Sequence, residues 1–176
     1  AGSYRYYHED PSIKKYFYSV ESHNTIQVAG QEQMQKGPNF LWFSWAEGTA
    51  CFDGENRLNC FAKFRSKIPY AHYRVIERNG DAYRVEDRVD GAESFTVRWH
   101  LAPEFNWNAI GSSTFEANIE SKGRISIRLQ GDEAIRPRLV KGWESLYYGQ
   151  RSEIPVIEVP DVRGTIVTTI EWRAFC

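Results

Sequence analysis

An excess of charge of either sign is absent from this chain. Lys and Arg number 22 against 23 Asp and Glu, a formal net charge of −1. Nucleic-acid binding needs a clear basic excess on one face. Also absent is any apolar run near the roughly 20 residues that cross a bilayer as a helix. The opening segment, Ala1 to Tyr7, does not have the basic-then-apolar order of a secretory leader. No nucleic-acid partner and no membrane partner are expected. Cysteine is scarce: Cys51, Cys60 and Cys176 are too few and too scattered for a disulfide framework or a zinc ribbon. Cys51 and Cys60 bracket Phe52-Asp53-Gly54-Glu55-Asn56, which reads as a hairpin turn. The pair is either a cross-strand disulfide or two small core residues; Cys176 is terminal and reads as exposed. There is no G-x-S-x-G elbow, no H-E-x-x-H and no Gly-rich phosphate loop.

What is present is alternation. Its 176 residues suffice for one domain with a sizeable core, and residues 1–176 read as a single β-domain. Apolar and polar residues alternate over 70–77, 83–89 and 94–101, with Asn79-Gly80 and Asp90-Gly91 between them. Such steps supply the positive φ angles of tight hairpin turns, so three strands in a meander are expected. A second hairpin reads 114–120 and 124–129 around Ser121-Lys122-Gly123, and the tail adds strands at 154–159 and 165–172. Upstream, 25–28, 40–45 and 60–64 read as strands separated by Gly30, Gly37-Pro38, Gly48 and Gly54. Helix signals are poor. Asp10 before Pro11 can cap one turn, whereas Tyr16-Phe17-Tyr18 favours extension. The expected fold is an all-β, antiparallel β-sandwich with less than about a tenth of its residues in α-helix, against the usual third.

Of the four histidines, His72 and His100 lie inside expected strands with apolar neighbours and read as structural. His8 sits among Tyr4, Tyr6, Tyr7 and Glu9 and reads either way. His23 differs. Ser22-His23-Asn24-Thr25 places a polar cluster directly before the apolar run Ile26-Gln27-Val28. Such a sheet-entry loop is either a plain turn or the place where a rigid scaffold carries function.

His23-Asn24-Thr25, then Ile26-Gln27-Val28, Gly30 and Gln33, resembles the signature of the C-terminal β-domain of the heparinase II/III family. The resemblance continues through His72-Tyr73-Arg74, residues 83–91, Arg98-Trp99-His100-Leu101-Ala102-Pro103, Tyr147-Tyr148-Gly149-Gln150 and Thr168-Thr169-Ile170. Ala29 departs from it, standing where the family often has Asp. The resemblance implies a supersandwich-like β-domain truncated at its N-terminal side, the C-terminal part of a larger polysaccharide lyase. Such enzymes cleave acidic, uronate-containing polysaccharide by β-elimination, with the main catalytic residues on an N-terminal α/α toroid absent from this sequence. It implies a contributory catalytic role for His23, substrate contacts by Asn24 and Gln33, and a periplasmic or secreted bacterial setting. It also implies a zinc in the full-length parent with His23 as one ligand of a site incomplete here, and no cofactor for these residues alone. The alternative is a non-catalytic glycan-binding or scaffold module in polysaccharide assembly. Heparin, heparan and alginate-like glycans are not distinguished.

Sugar rings stack their C–H faces on aromatic planes, so Trp45, Trp143, Tyr147 and Tyr148 are candidate cleft residues. Trp42 and Trp99 read as core. Trp107, between Asn106 and Asn108, is the candidate exposed ring for substrate. Arg5, Lys14, Lys15 and Arg65 could meet an anionic polymer, though scattered charges are usually solvated faces.

Overall fold

A computed structural model describes residues 4–5, 10–39 and 41–175. The chain runs through helix α1 (Pro11–Tyr18) and a 3-10 turn (Val20–Ser22) into strands β1 (Ile26–Gln27), β2 (Gln35–Lys36) and β3 (Trp42–Phe43). It continues through β4 (Glu47–Phe52), β5 (Arg57–Phe64), β6 (Tyr70–Asn79), β7 (Ala82–Asp90) and β8 (Phe95–His100). The remaining strands are β9 (Trp107–Ala109), β10 (Thr114–Ile119), β11 (Gly123–Gly131), β12 (Arg138–Glu144), β13 (Ser152–Val162) and β14 (Thr165–Ala174). An eight-stranded sheet has the order β4-β5-β6-β7-β14-β11-β10-β9, a four-stranded sheet the order β1-β8-β13-β12, and β2-β3 form a ribbon. The pairings are antiparallel. The fold is the expected all-β sandwich.

Alternation explains the core. Every second residue of a strand faces the same way, so Val85 and Val89 of β7, Ile127 and Leu129 of β11 and Ile166 of β14 turn inward together. They meet Val97 and Trp99 of β8 with Ile157 and Val159 of β13. Each such side chain contributes about 1.5–3 kcal/mol by leaving water. Trp99 is core, as expected, its Nε1–H donating to Thr168 Oγ1 at 3.1 Å. Trp42 is not; it lies half-buried beside Tyr18, away from the sandwich interior.

The expected three-strand meander is corrected. β6 and β7 pair across the Gly80 turn, but β8 leaves for the other sheet, where it pairs with β1 and β13. Asp90-Gly91 is therefore a crossing between layers. Gly91 has φ +92°, and a Cβ there would lie 2.9 Å from the Pro69 carbonyl oxygen. Gly48, read as a separator, lies inside β4, whose residues are all exposed at the sheet edge. Neither reading of the cysteine pair holds. Cys60 faces Ala50 and Cys51 faces Asn59, so the two thiols point to opposite faces; both are free, and Cys51 is exposed. His8 and Cys176 fall outside the described residues, as does Phe40 of the expected strand at 40–45.

Helix α1 is longer than the one turn expected. Asp10 does cap it, Oδ1 accepting from the Ser12 amide at 2.8 Å and the Ser12 hydroxyl at 2.6 Å. The aromatic run is helical because its rings find partners there: Phe17 is buried, and Tyr16 reaches the outer face of the small sheet. Gly142 makes that approach possible. A Cβ at Gly142 would stand 2.8 Å from Tyr16 Oη and 2.5 Å from Val156 Cγ2.

Candidate functional site

The loop at 22–25 enters β1 with most of its polar groups tied down. The His23 amide donates to the Val20 carbonyl at 3.1 Å and the Thr25 amide to the His23 carbonyl at 2.9 Å. Ser22 Oγ donates to the Ser19 carbonyl at 3.0 Å. Gln33 supports the loop from behind, its Nε2 donating to the Ile26 carbonyl at 3.4 Å.

Asn24 carries the most connections. Its carbonyl accepts from Arg74 Nη1 at 2.7 Å, and its Oδ1 accepts from the His100 amide at 2.7 Å. The same Oδ1 lies 3.0 Å from His100 Nδ1. An amide N–H needs an acceptor, so the oxygen assignment is fixed. An oxygen cannot donate, so Nδ1 carries the proton. His100 Nε2 is then the acceptor for Tyr16 Oη at 3.2 Å, and Tyr16 Oη in turn accepts from the Trp143 amide at 3.0 Å. Both imidazole nitrogens of His100 are committed and the ring is neutral. Burial, with the nearby charges of His23 and Arg98, lowers its pKa to about 4.

His23 stands apart from this network. Its ring is exposed and makes no hydrogen bond among the described residues. Partial desolvation lowers its pKa, which keeps the imidazole unprotonated at pH 7. His23, Asn24 and His100 line a cleft of about 420 Å³ with Glu144, Leu146 and Ile154. A neutral imidazole at its mouth can accept a proton or bind an electrophilic centre.

The structure brings His23 and Asn24 together and leaves Gln33 behind the loop as a support. Trp107 is elsewhere. It lies on β9 at the far edge of the large sheet, half-buried against the core, with Nε1–H donating to the Ala102 carbonyl at 3.0 Å. Sequence reasoning missed Tyr16, Arg74, Asp87 and Glu144 as contributors. It read His72 and His100 as structural, and both are bonded as structural histidines are. Their partners are side chains: Asp87 for His72 at 2.7 Å, Asn24 and Tyr16 for His100.

The family model described as heparinase II/III-like, C-terminal, matches residues 1–172. The chain belongs to that family. Among solved structures, heparan sulfate lyase HepC from Pedobacter heparinus superposes with a TM-score of 0.78 at 15% identity, covering 99% of this chain and 28% of that one. The heparinase III product of gene BT4657 gives 0.75 at 16% identity, with 98% and 27% covered. At those identities the fold is what is shared. This heparinase II/III-like domain spans a little over a quarter of the length of those structures. Among curated proteins none matches it by sequence.

A zinc site around His23 is not assembled from the residues described. No three His, Cys, Asp or Glu side chains among them converge as ligands would. His100, the imidazole sharing the cleft, has both nitrogens engaged. Among the described residues, no helix is long and apolar enough to cross a membrane.

Proposed function

We propose that this heparinase II/III-like domain forms one wall of the substrate cleft in a polysaccharide lyase that cleaves acidic, uronate-containing chains by β-elimination. The observation carrying this reading is the unengaged imidazole of His23, held on a loop whose neighbouring groups are anchored. Elimination requires the uronate carboxylate to be neutralised, a base to take the C5 proton and an acid to protonate the departing glycosidic oxygen. His23 is assigned to the carboxylate end of that task as a neutral N–H donor to a carboxylate oxygen, on a loop that Asn24 anchors to Arg74 and His100; the compensating positive charge is assigned to the longer protein. The remaining base and acid are assigned to an α/α toroid in the longer protein. A zinc there would need ligands from outside the described residues. A periplasmic or secreted bacterial setting follows from the polymeric substrate and is part of the same proposal.

A second reading is favoured by the locked state of His100. Among the described residues only one imidazole in the cleft, that of His23, is free to move a proton, which suits a glycan-binding module without turnover. The two separate in the full-length protein carrying this domain. Elimination leaves a conjugated double bond, so ultraviolet absorbance reports product directly. Replacing His23 with Ala is expected to lower kcat/KM on an acidic glycan by about 10²-fold, the usual scale for a positioned catalytic group. Unchanged turnover would remove His23 from the reaction, and glycan binding without any absorbance change would establish the module.

A further inference from the structure

The loop between β12 and β13 carries a second feature, outside the His23 cleft. Arg151 stacks over two rings, 4.5 Å from the Trp143 centroid and 5.6 Å from that of Tyr4. Arg5 lies 5.4 Å from the same Tyr4 ring. Two guanidinium groups thus share one aromatic side chain, and neither has a carboxylate partner among the described residues. Many other arginines are paired, among them Arg57 with Glu77, Arg74 with Asp87, Arg98 and Arg138 with Glu158, and Arg124 with Glu116; what sets Arg5 and Arg151 apart is that they share the Tyr4 ring. The nearby acid Glu153 is taken by Lys141 at 3.1 Å.

The loop itself is built. The Gly149 amide donates to the Tyr4 carbonyl at 2.7 Å, the Gln150 amide to the Tyr147 carbonyl at 3.0 Å, and Ser145 Oγ to the Tyr147 carbonyl at 3.0 Å. These bonds fix the backbone beneath Arg151. They also leave Tyr147 and Tyr148 70% and 63% exposed. Leu146, at the start of the loop, lines the His23 cleft.

We infer that Arg151 and Arg5 form an anion subsite for a sulfate or carboxylate group of an acidic polysaccharide, with Tyr147 offering its face to the adjoining sugar ring. This rests on the acidic-glycan reading above. Two like charges on one ring repel, and a bridging anion removes that cost. Stacking holds a guanidinium by its face and leaves its N–H edge for planar, two-pronged recognition of an oxyanion. Because Trp143 and Tyr4 already order the side chain, binding loses little rotamer entropy. Leu146 joins the subsite to the cleft along one stretch of chain, so a single polymer can touch both.

The test uses the full-length protein carrying this domain, with heparan sulfate, unsulfated polyglucuronate and neutral dextran as calorimetric probes. Wild type is expected to bind the two anionic chains and not dextran. Arg151→Ala should raise Kd about tenfold, and Arg151→Lys, which keeps charge but not the fork, should recover only part. Arg173→Ala, a distant surface charge paired with Glu171, should change Kd less than twofold. Loss confined to heparan sulfate identifies sulfate as the bound group; equal loss on both chains identifies the carboxylate. Wild-type binding undiminished by Arg151→Ala overturns the subsite and leaves the acidic-glycan reading standing. Failure of the wild type to bind either anionic chain overturns both.

Discussion

His100 shows how one residue's partners set its response to pH. Burial of the ring lowers its folded pKa to about 4, below the unfolded value of about 6.5. Between those values the unfolded chain binds more protons than the folded one, so stability falls as pH drops from about 6.5 to 4. The neighbouring carboxylates act lower. Burial opposes ionisation of Asp87 and Glu158, but their His and Arg partners outweigh it and hold both pKa values down. Their contribution is lost only as pH falls below the ordinary carboxylate range. Replacing His100 with Gln, which can still bond Asn24 but does not titrate, is expected to make the fall of urea midpoints between about pH 6.5 and 4 shallower, leaving the share of His23, whose pKa burial also lowers. A variant as pH-sensitive as wild type in that window would show that His100 is not the responding group. His23 was legible in the sequence because its Asn-Thr neighbours and the following strand are adjacent in the chain. The network behind it was not, because His100 meets Asn24 and Tyr16 at separations of 76 and 84 residues.

Among elements, α1 depends on a neighbour with no side chain. Its sequence carried two opposed signals, a cap at Asp10 and an aromatic run suited to a strand. Tertiary contact decided between them, Tyr16 docking over Gly142 and Phe17 being buried against the Tyr4 ring. Gly142→Ala should force Tyr16 off the Trp143 amide, since the new methyl would sit 2.8 Å from its hydroxyl. The expected result is faster amide exchange across α1 and a loss of about 1–3 kcal/mol, the overpacking range. Exchange in α1 matching wild type would show that the helix is held by Phe17 alone. The hairpins were legible for the opposite reason: β6-β7 and β10-β11 each close over a few residues, so local turn chemistry specifies them. β8 defeated the same logic. Asp90-Gly91 looks like another hairpin turn, yet the partners of β8 lie on β1 and β13, and no local signal marks a change of sheet.

Across the whole molecule, Asp87 ties the two layers together. It is fully buried on β7, bonded by His72 Nε2 and Arg74 Nε at 2.7 Å each and by Arg74 Nη2 at 3.0 Å. The third guanidinium nitrogen crosses to the Asn24 carbonyl beside β1 of the small sheet. Removing one member of a buried charged set leaves the others uncompensated, typically at about 3–5 kcal/mol. Asp87→Asn is therefore expected to lose stability on that scale at pH 7 in urea, with one transition reported by both near- and far-ultraviolet dichroism. A loss below about 1 kcal/mol would mean the layers are held by their apolar faces alone.

The order of strands in space also dictates an order in time. β14 lies between β7 and β11 in the large sheet, and β13 lies between β8 and β12 in the small one. β13 and β14 follow every other described strand in the chain, yet each is interior to its own sheet. Throughout synthesis β7, β8, β11 and β12 wait with open edges, and such edges recruit other chains. The charged rungs on β7, Arg84, Glu86 and Arg88, guard one of them until β14 arrives. Neither layer can close before its late strand, β13 or β14, has been made.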